Sequence, residues 1–263
     1  MGRPRDDLVI IIPARLESTR LPRKLLIEIA GRSVLEWTWR RASAVEGARG
    51  VWIATDNDEI ARHVEGFGGA VLPTRAHPTG THRVAEAAAR LRPQPRWIIN
   101  LQGDEPLVSP AAIGAVAAGL RAGRPAIVTA GAPLGSFDEW RDPGVVKVVC
   151  GSGGQAIYFS RCPIPGARAE PGPRDFDRVR SLVLQHIGIY GFSHALLRRY
   201  VALPASPLAE FESLEQLRAL EAGMPIRIVR LARAEPSVDT PADLERVRSR
   251  LSGGGGRRAG TLE

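Results

Sequence analysis

The stretch from Leu8 to Lys24, LVIIIPARLESTRLPRK, most constrains what this chain can fold into. Leu8 to Ile12 is an apolar run too short for a helix and uninterrupted by polar residues, the pattern of a strand buried on both faces. Pro13 has no backbone donor and ends it. A polar, basic loop follows, with Arg15, Ser18, Thr19, Arg20, Arg23 and Lys24, and Leu21-Pro22 interrupts any helix there. A buried strand that ends in a basic, hydroxyl-rich loop before a helix is how open α/β sheets hold phosphates at their carboxyl edge. Neither G-x-x-x-x-G-K nor G-x-G-x-x-G follows this strand, so side-chain cations stand where glycine amides serve in those motifs.

The same alternation continues. Ser33 to Ala44 has helical spacing, Val51 to Thr55 is a second buried strand, and Asp56-Asn57 caps a helix over Asp58 to Glu65. Ala70 to Leu72 is a short strand, and the loop Thr74 to Arg83 leads into an alanine-rich helix ending near Leu91. Trp97 to Leu101 is a third buried strand that runs directly into Gln102-Gly103-Asp104-Glu105-Pro106. Ser109 to Leu120 is a helix with Pro110 at its first position, and Ala126 to Pro133 is another strand. This order predicts a mostly parallel, doubly wound Rossmann-like sheet. The second half predicts a smaller antiparallel extension: Val145 to Val149 and Ala156 to Ser160 as a hairpin, a proline- and glycine-rich mobile loop over Arg161 to Arg180, and a strand over Gln185 to Phe192. A helix from Ser206-Pro207 through Ala222, a strand over Ile226 to Leu231 and a capped helix from Thr240-Pro241 to about Leu251 complete it.

With no internal repeat and no clear linker, one domain over 1–251 is expected, with a nucleotide-binding half at about 8–133, an acceptor and dimerisation half at about 134–251, and a flexible tail at 252–263. No apolar run approaches the roughly 20 residues of a membrane span, and MGRPRDD is not followed by a secretory h-region. Two cysteines, Cys150 and Cys162, suit a reducing cytoplasm better than a disulfide framework. The net charge of +8 raises nucleic-acid binding. The arginines are dispersed, however, and aromatic residues are only 5% and do not interleave with them. A solvated basic surface with an anionic small-molecule site, and no nucleic acid or membrane partner, is the more economical reading.

Asp104 follows a buried parallel strand beside the basic loop, where a carboxylate either holds a divalent metal against phosphate or caps a turn. Asp239, in Val238-Asp239-Thr240-Pro241, is a second carboxylate that either joins it or belongs to a loop. Period-two geometry sends Ile187 and Ile189 to one face of their strand and His186, Gly188 and Tyr190 to the other. Glu212, Glu215 and Gln216 are expected on adjoining turns of one helix, as a site or as a solvated acidic face.

The motifs R-x-x-S-T-R-L-P-x-K at Arg15 to Lys24, G-T-x-R at Gly80 to Arg83, Q-G-D-E-P at Gln102 to Pro106, Y-F-S-R at Tyr158 to Arg161, H-x-G-I-Y-G at His186 to Gly191, L-E-Q-L-R at Leu214 to Arg218 and V-D-T-P at Val238 to Pro241 occur in order. Together with Thr55-Asp56 they resemble the CMP-Kdo synthetases (3-deoxy-manno-octulosonate cytidylyltransferases), from about Leu8 to Leu251. The resemblance implies a nucleotide-diphospho-sugar transferase fold, usually a homodimer, that joins CTP and an acidic sugar to give CMP-sugar and pyrophosphate with Mg²⁺. By matching position it implies Arg15 and Lys24 on the CTP phosphates, supported by Ser18 and Arg20, with Thr79, Gly80, Arg83 and Gln102 near the nucleotide. It implies Asp104 and Asp239 on Mg²⁺, and Arg161, His186, Tyr190, Glu215 and Gln216 around the acceptor. Such a phosphoryl transfer needs positioning and charge neutralisation rather than a protein nucleophile, which agrees with the lack of a Ser-His-Asp or Cys-His pattern.

The chain departs from that pattern in several places. Arg23 stands for a glycine, Leu25 for a proline and His82 for an acid. Gln185 replaces a basic residue before the strand histidine, Ala234-Glu235-Pro236-Ser237 replaces a glycine-rich turn, and no tryptophan follows Ile164-Pro165. Arg23 and His82, as added cations, raise a small phosphonate as an alternative acceptor, with Arg161 and His186 supplying cations to the acceptor site.

Overall fold

In a computed structural model that describes residues 7–18, 20–122, 126–166, 168 and 172–253, the apolar run becomes β1 (Leu8–Pro13), buried along its whole length. After the basic loop come a single 3₁₀ turn (Lys24–Leu26) and a short hairpin, β2 (Glu28–Ile29) and β3 (Arg32–Ser33). Helix α1 (Val34–Ser43) starts where the Ser33 hydroxyl accepts from Glu36 N–H at 3.0 Å. The chain continues as β4 (Ala48–Thr55), α2 (Asp58–Gly66), β5 (Ala70–Pro73), α3 (Gly80–Arg90), β6 (Trp97–Leu101), α4 (Pro110–Arg121) and β7 (Ile127–Pro133). Asn57, Thr79 and Ser109 cap α2, α3 and α4 through their side chains. The second half adds α5 (Phe137–Arg141), β8 (Lys147–Cys150), β9 (Ala156–Ser160), α6 (Pro173–Val179), β10 (Val183–Ser193), α7 (His194–Val201), α8 (Pro207–Glu212), α9 (Leu217–Glu221), β11 (Ile226–Arg230) and α10 (Pro241–Gly253).

The main sheet has the order β11-β7-β10-β6-β1-β4-β5, with β8 and β9 branching from β10. β1, β4, β5 and β6 pair in parallel, as do β7 and β11, while β10 runs antiparallel to β6, β7 and β8. The expected mostly parallel sheet with an antiparallel extension is therefore the observed one, and the reversed strand β10 joins its two parts. Alternate residues of β1 enter different cores. Leu8, Ile10 and Ile12 pack with α1 and α4, whereas Val9 and Ile11 pack with α3 and α7. Period-two side-chain direction makes a continuous apolar strand the natural centre of a sheet covered on both faces.

Two expectations are corrected. The stretch Arg161 to Arg180 is not all loop, because it contains α6. Phe176 and Val179 pack with Trp140, Leu134 and Val183 in a satellite core, and the Asp175 carboxylate accepts from Gly172 N–H at 3.0 Å to start the helix. The helix expected from Ser206 to Ala222 is two helices. Ser213 takes a left-handed conformation (φ 52°) that ends α8, so Glu215 and Gln216 sit in a corner rather than on a helix face. Helices α5 and α7 are too short for sequence periodicity to mark. α10 extends to Gly253, and the rest of the expected tail lies outside the described residues.

Candidate active site

The carboxyl ends of the adjacent parallel strands β1 and β6 form the floor of the site. Arg15, Thr79, Gly80, Arg83 and Gln102 line a cleft of about 800 Å³ there, closed on the far side by Ser213, Glu215 and Arg218. Gly80 opens α3 directly over the end of β1: a Cβ at this position would lie 3.2 Å from Pro13 Cγ. Arg15 is exposed and Ser18 is half-buried in the loop that leads away from the cleft.

That loop ends at a cluster of charge. The Lys24 ammonium donates to Asp104 and, at 2.9 Å, to Asp239 Oδ1, while Arg20 meets the same Asp239 oxygen at 3.0 Å. Lys24 and Asp104 keep side-chain exposures of only 15% and 21%, so this contact is largely shielded from water. Burial alone would lower the Lys24 pKa, but the neighbouring Asp104 and Asp239 hold it above the ordinary lysine value. Asp239 is brought in from far along the chain by a main-chain bond, Val238 N–H to Asp104 O at 2.9 Å. The capping box predicted at Thr240 fixes the next turn, with Asp243 Oδ2 accepting from Thr240 N–H at 2.8 Å and Asp243 N–H donating to Thr240 Oγ1 at 3.2 Å. Glu105 lies beside the pair, and burial, reinforced by the Asp104 and Asp239 charges, pushes its carboxyl well above the usual range.

Arg23 takes a left-handed conformation (φ 56°), where a glycine carries no Cβ cost, and its guanidinium pairs with Glu59. It therefore adds no free cation to the cleft. Arg83 is buried and anchors the cleft wall, with Nη1 at 3.0 Å from Asp56 and 2.7 Å from Thr74 Oγ1. His82 sits on that wall with Nδ1 at 2.8 Å from Thr79 Oγ1. Burial lowers its pKa, opposed by Glu215 and assisted by Arg218.

The corner after Ser213 reaches back across the cleft. Glu215 accepts from Thr79 Oγ1 at 2.5 Å and from Thr81 Oγ1 at 3.0 Å. Tyr190 on β10 donates to Gln216 Oε1 at 3.1 Å, and Gln216 Nε2 is buried without a partner among the described residues. Arg161 secures the corner: Nε donates to Glu212 O at 2.9 Å, Nη1 to Pro143 O at 2.9 Å and Nη2 to Ser213 O at 3.3 Å. The Glu212 carboxylate accepts from Ser160 Oγ at 2.6 Å. Arg161, Tyr190, Glu215 and Gln216 are thus one connected group, and His186 adjoins it with its ring centroid 5.4 Å from that of Tyr190. His186 does not bring the expected charge. Enclosed by Phe159, Tyr190 and Thr129, its pKa falls to about 3 through burial, so the ring is neutral at physiological pH.

Sequence reasoning missed Lys147 and Thr81. Lys147 is fully buried, and its ammonium donates to the carbonyls of Asp142 (2.8 Å), Val145 (2.6 Å) and Arg161 (2.5 Å). Its place in the run VVKVVC, a lone charge among apolar residues on a strand, was the available signal. Thr81 lay within G-T-x-R, but its contact with Glu215 spans 134 positions and leaves no local trace.

The two carboxylates suit a hard divalent cation. Among the described residues no group of three or more His, Cys, Asp or Glu encloses a metal, so phosphate oxygens and water would complete the coordination of a cation held by Asp104 and Asp239.

The family model described as cytidylyltransferase matches residues 9–228. The curated 3-deoxy-manno-octulosonate cytidylyltransferase of Leptothrix cholodnii is 45% identical, over 93% of this chain and 92% of its own length. That of Syntrophotalea carbinolica is 44% identical, over 94% and 99%. A solved CMP:2-keto-3-deoxy-manno-octonic acid synthetase complexed with CTP superposes with a TM-score of 0.84 at 37% identity, covering 94% of this chain and 99% of that one. The 4-diphosphocytidyl-2C-methyl-D-erythritol synthase of Anaerococcus prevotii, at 16% identity and a TM-score of 0.63, shares the fold.

Proposed function

This chain belongs to the cytidylyltransferase family, and from that premise we propose that it transfers CMP from CTP to 3-deoxy-manno-octulosonate (Kdo), giving CMP-Kdo and pyrophosphate. The observation that carries the reading is the convergence of Lys24, Asp104 and Asp239 at the carboxyl edge of β1 and β6, next to a cleft large enough for a nucleotide. The acceptor hydroxyl oxygen bonds to the α-phosphorus of CTP, the bond from that phosphorus to the bridging oxygen breaks, and pyrophosphate leaves while the hydroxyl proton is lost. No protein nucleophile is needed.

Lys24 and Arg15 hold the triphosphate by charge, with Ser18 and Arg20 supporting their loop. Asp104 and Asp239 would hold Mg²⁺, which when bound would offset charge on the phosphate oxygens. Thr79, Gly80, Arg83 and Gln102 shape the nucleotide end of the cleft. On the acceptor side, Tyr190 donates to the buried Gln216 amide and holds the corner that carries Glu215 against the cleft. Arg161 orients this corner through main-chain carbonyls. The two added positions that raised a phosphonate do not supply free cations, since Arg23 pairs with Glu59 and burial lowers the pKa of His82. No helix among the described residues is long and apolar enough to cross a membrane, and free Cys150 and Cys162 suit a reducing cytoplasm.

Pyrophosphate release from CTP with Mg²⁺ tests the reading, using Kdo against a panel of small phosphonates, and ATP against CTP. Turnover restricted to CTP with Kdo is the expected result. Absence of turnover with Kdo, or an equal rate with a phosphonate, overturns it.

A further inference from the structure

We propose that Lys24 is an internal counter-ion that closes the metal site, so that the divalent cation enters only together with the nucleotide. This rests on the cytidylyltransferase reading and extends it. The Lys24 ammonium lies within hydrogen-bond distance of both carboxylates, where a cation bridging Asp104 and Asp239 would otherwise sit. Arg20 compensates Asp239 a second time, whereas Asp104 pairs with Lys24 alone among the described residues.

The energetics of exchange follow from this placement. If Lys24 leaves alone, Asp104 and Asp239 face each other with one fewer compensating charge in a partly dry pocket, which is costly. If a divalent cation arrives alone, it must expel an ammonium that is only 15% exposed and has no other carboxylate within salt-bridge distance among the described residues. If the cation arrives with a triphosphate, both costs fall. The metal takes over the carboxylates and the displaced ammonium gains phosphate oxygens in exchange. The 3₁₀ turn that begins at Lys24 places this lysine at the end of the same basic loop whose Arg15 lines the cleft, so the new partner is delivered to the loop that must release it. Lys24 thereby has two successive partners, protein carboxylates before nucleotide binding and substrate phosphate after it.

The test measures Mn²⁺ binding to the full chain by calorimetry and thermal shift, with and without CTP, in the wild type, Lys24→Met and Lys24→Gln. Wild type is expected to bind Mn²⁺ alone at least about tenfold more weakly than either variant, the scale of one charge-assisted contact. The variants are expected to be stabilised by Mn²⁺ alone, and the wild type only by Mn²⁺ with CTP. Equal Mn²⁺ affinity without nucleotide in all three proteins overturns the coupling while leaving the enzyme reading intact. Absence of stabilisation of the wild type by Mn²⁺ with CTP overturns the reading itself. The glutamine variant keeps a hydrogen-bond donor, so a folding defect confined to Lys24→Met does not decide the outcome.

Discussion

Glu215 accepts a 2.5 Å hydrogen bond from the hydroxyl of Thr79, a residue 136 positions earlier in the chain. The bond joins the N-cap of α3 to the corner between α8 and α9, so the two walls of the cleft are held by one carboxylate. Thr81 donates to its other oxygen, and the Glu215 carbonyl accepts from Tyr200 Oη at 2.8 Å. All three oxygens of that residue therefore accept hydrogen bonds, two of them from the start of α3.

Glu215→Ala should cost about 1–3 kcal/mol of stability, since two hydroxyls lose a charged acceptor. It should also raise KM for both substrates by more than it lowers kcat, because the residue positions the walls. Urea denaturation and steady-state kinetics check both expectations, and an unchanged KM for CTP would count against the wall-positioning role.

Arg161→Lys should not rescue Arg161→Ala. Three guanidinium nitrogens reach three separate carbonyls, and a single ammonium cannot reproduce that fork. Both variants should lose about 1–2 kcal/mol and show a raised KM for the acceptor. Parallel stability and KM measurements on the two variants provide the comparison, and full recovery by lysine would contradict it.

Lys147 gives the fold a pH dependence of definite sign. Burial lowers its pKa to about 8 from an ordinary value of 10.5, so between those limits the unfolded chain holds a proton that the folded chain does not. Stability contributed by this residue then rises with pH across the window, by on the order of 3 kcal/mol at most. Lys147→Met should remove that slope. It should also destabilise the protein near pH 7 by about 2–4 kcal/mol, because three buried carbonyls lose their donor. Denaturation curves from pH 7 to 10.5 on both proteins show whether the slope belongs to Lys147.

Asp104→Asn should abolish turnover, by about 10³-fold, while leaving the protein folded. A double-mutant cycle with Lys24→Met should give a coupling of about 1–3 kcal/mol in the absence of metal. Additive effects in unfolding experiments, or full activity of Asp104→Asn, would remove the ion pair or the metal role from the account.

Most of the architecture was legible in the chain because its signals are local. An apolar run such as Leu8–Ile12 closed by Pro13, or Trp97–Leu101 opening into Gln102-Gly103-Asp104, specifies a strand and its end within a few residues. The caps at Asn57 and Ser109 mark helix starts in the same way. The basic loop and the two carboxylates were also visible one by one. Tertiary structure alone decided which of these groups meet. It brought Asp239 to Asp104 through a main-chain bond, turned Ser213 left-handed so that Glu215 faces the cleft and Gln216 is buried behind it, and neutralised His186 by enclosing it. Propensity and periodicity are properties of neighbouring residues, whereas charge pairing and desolvation depend on distances that exist only once the sheet has assembled.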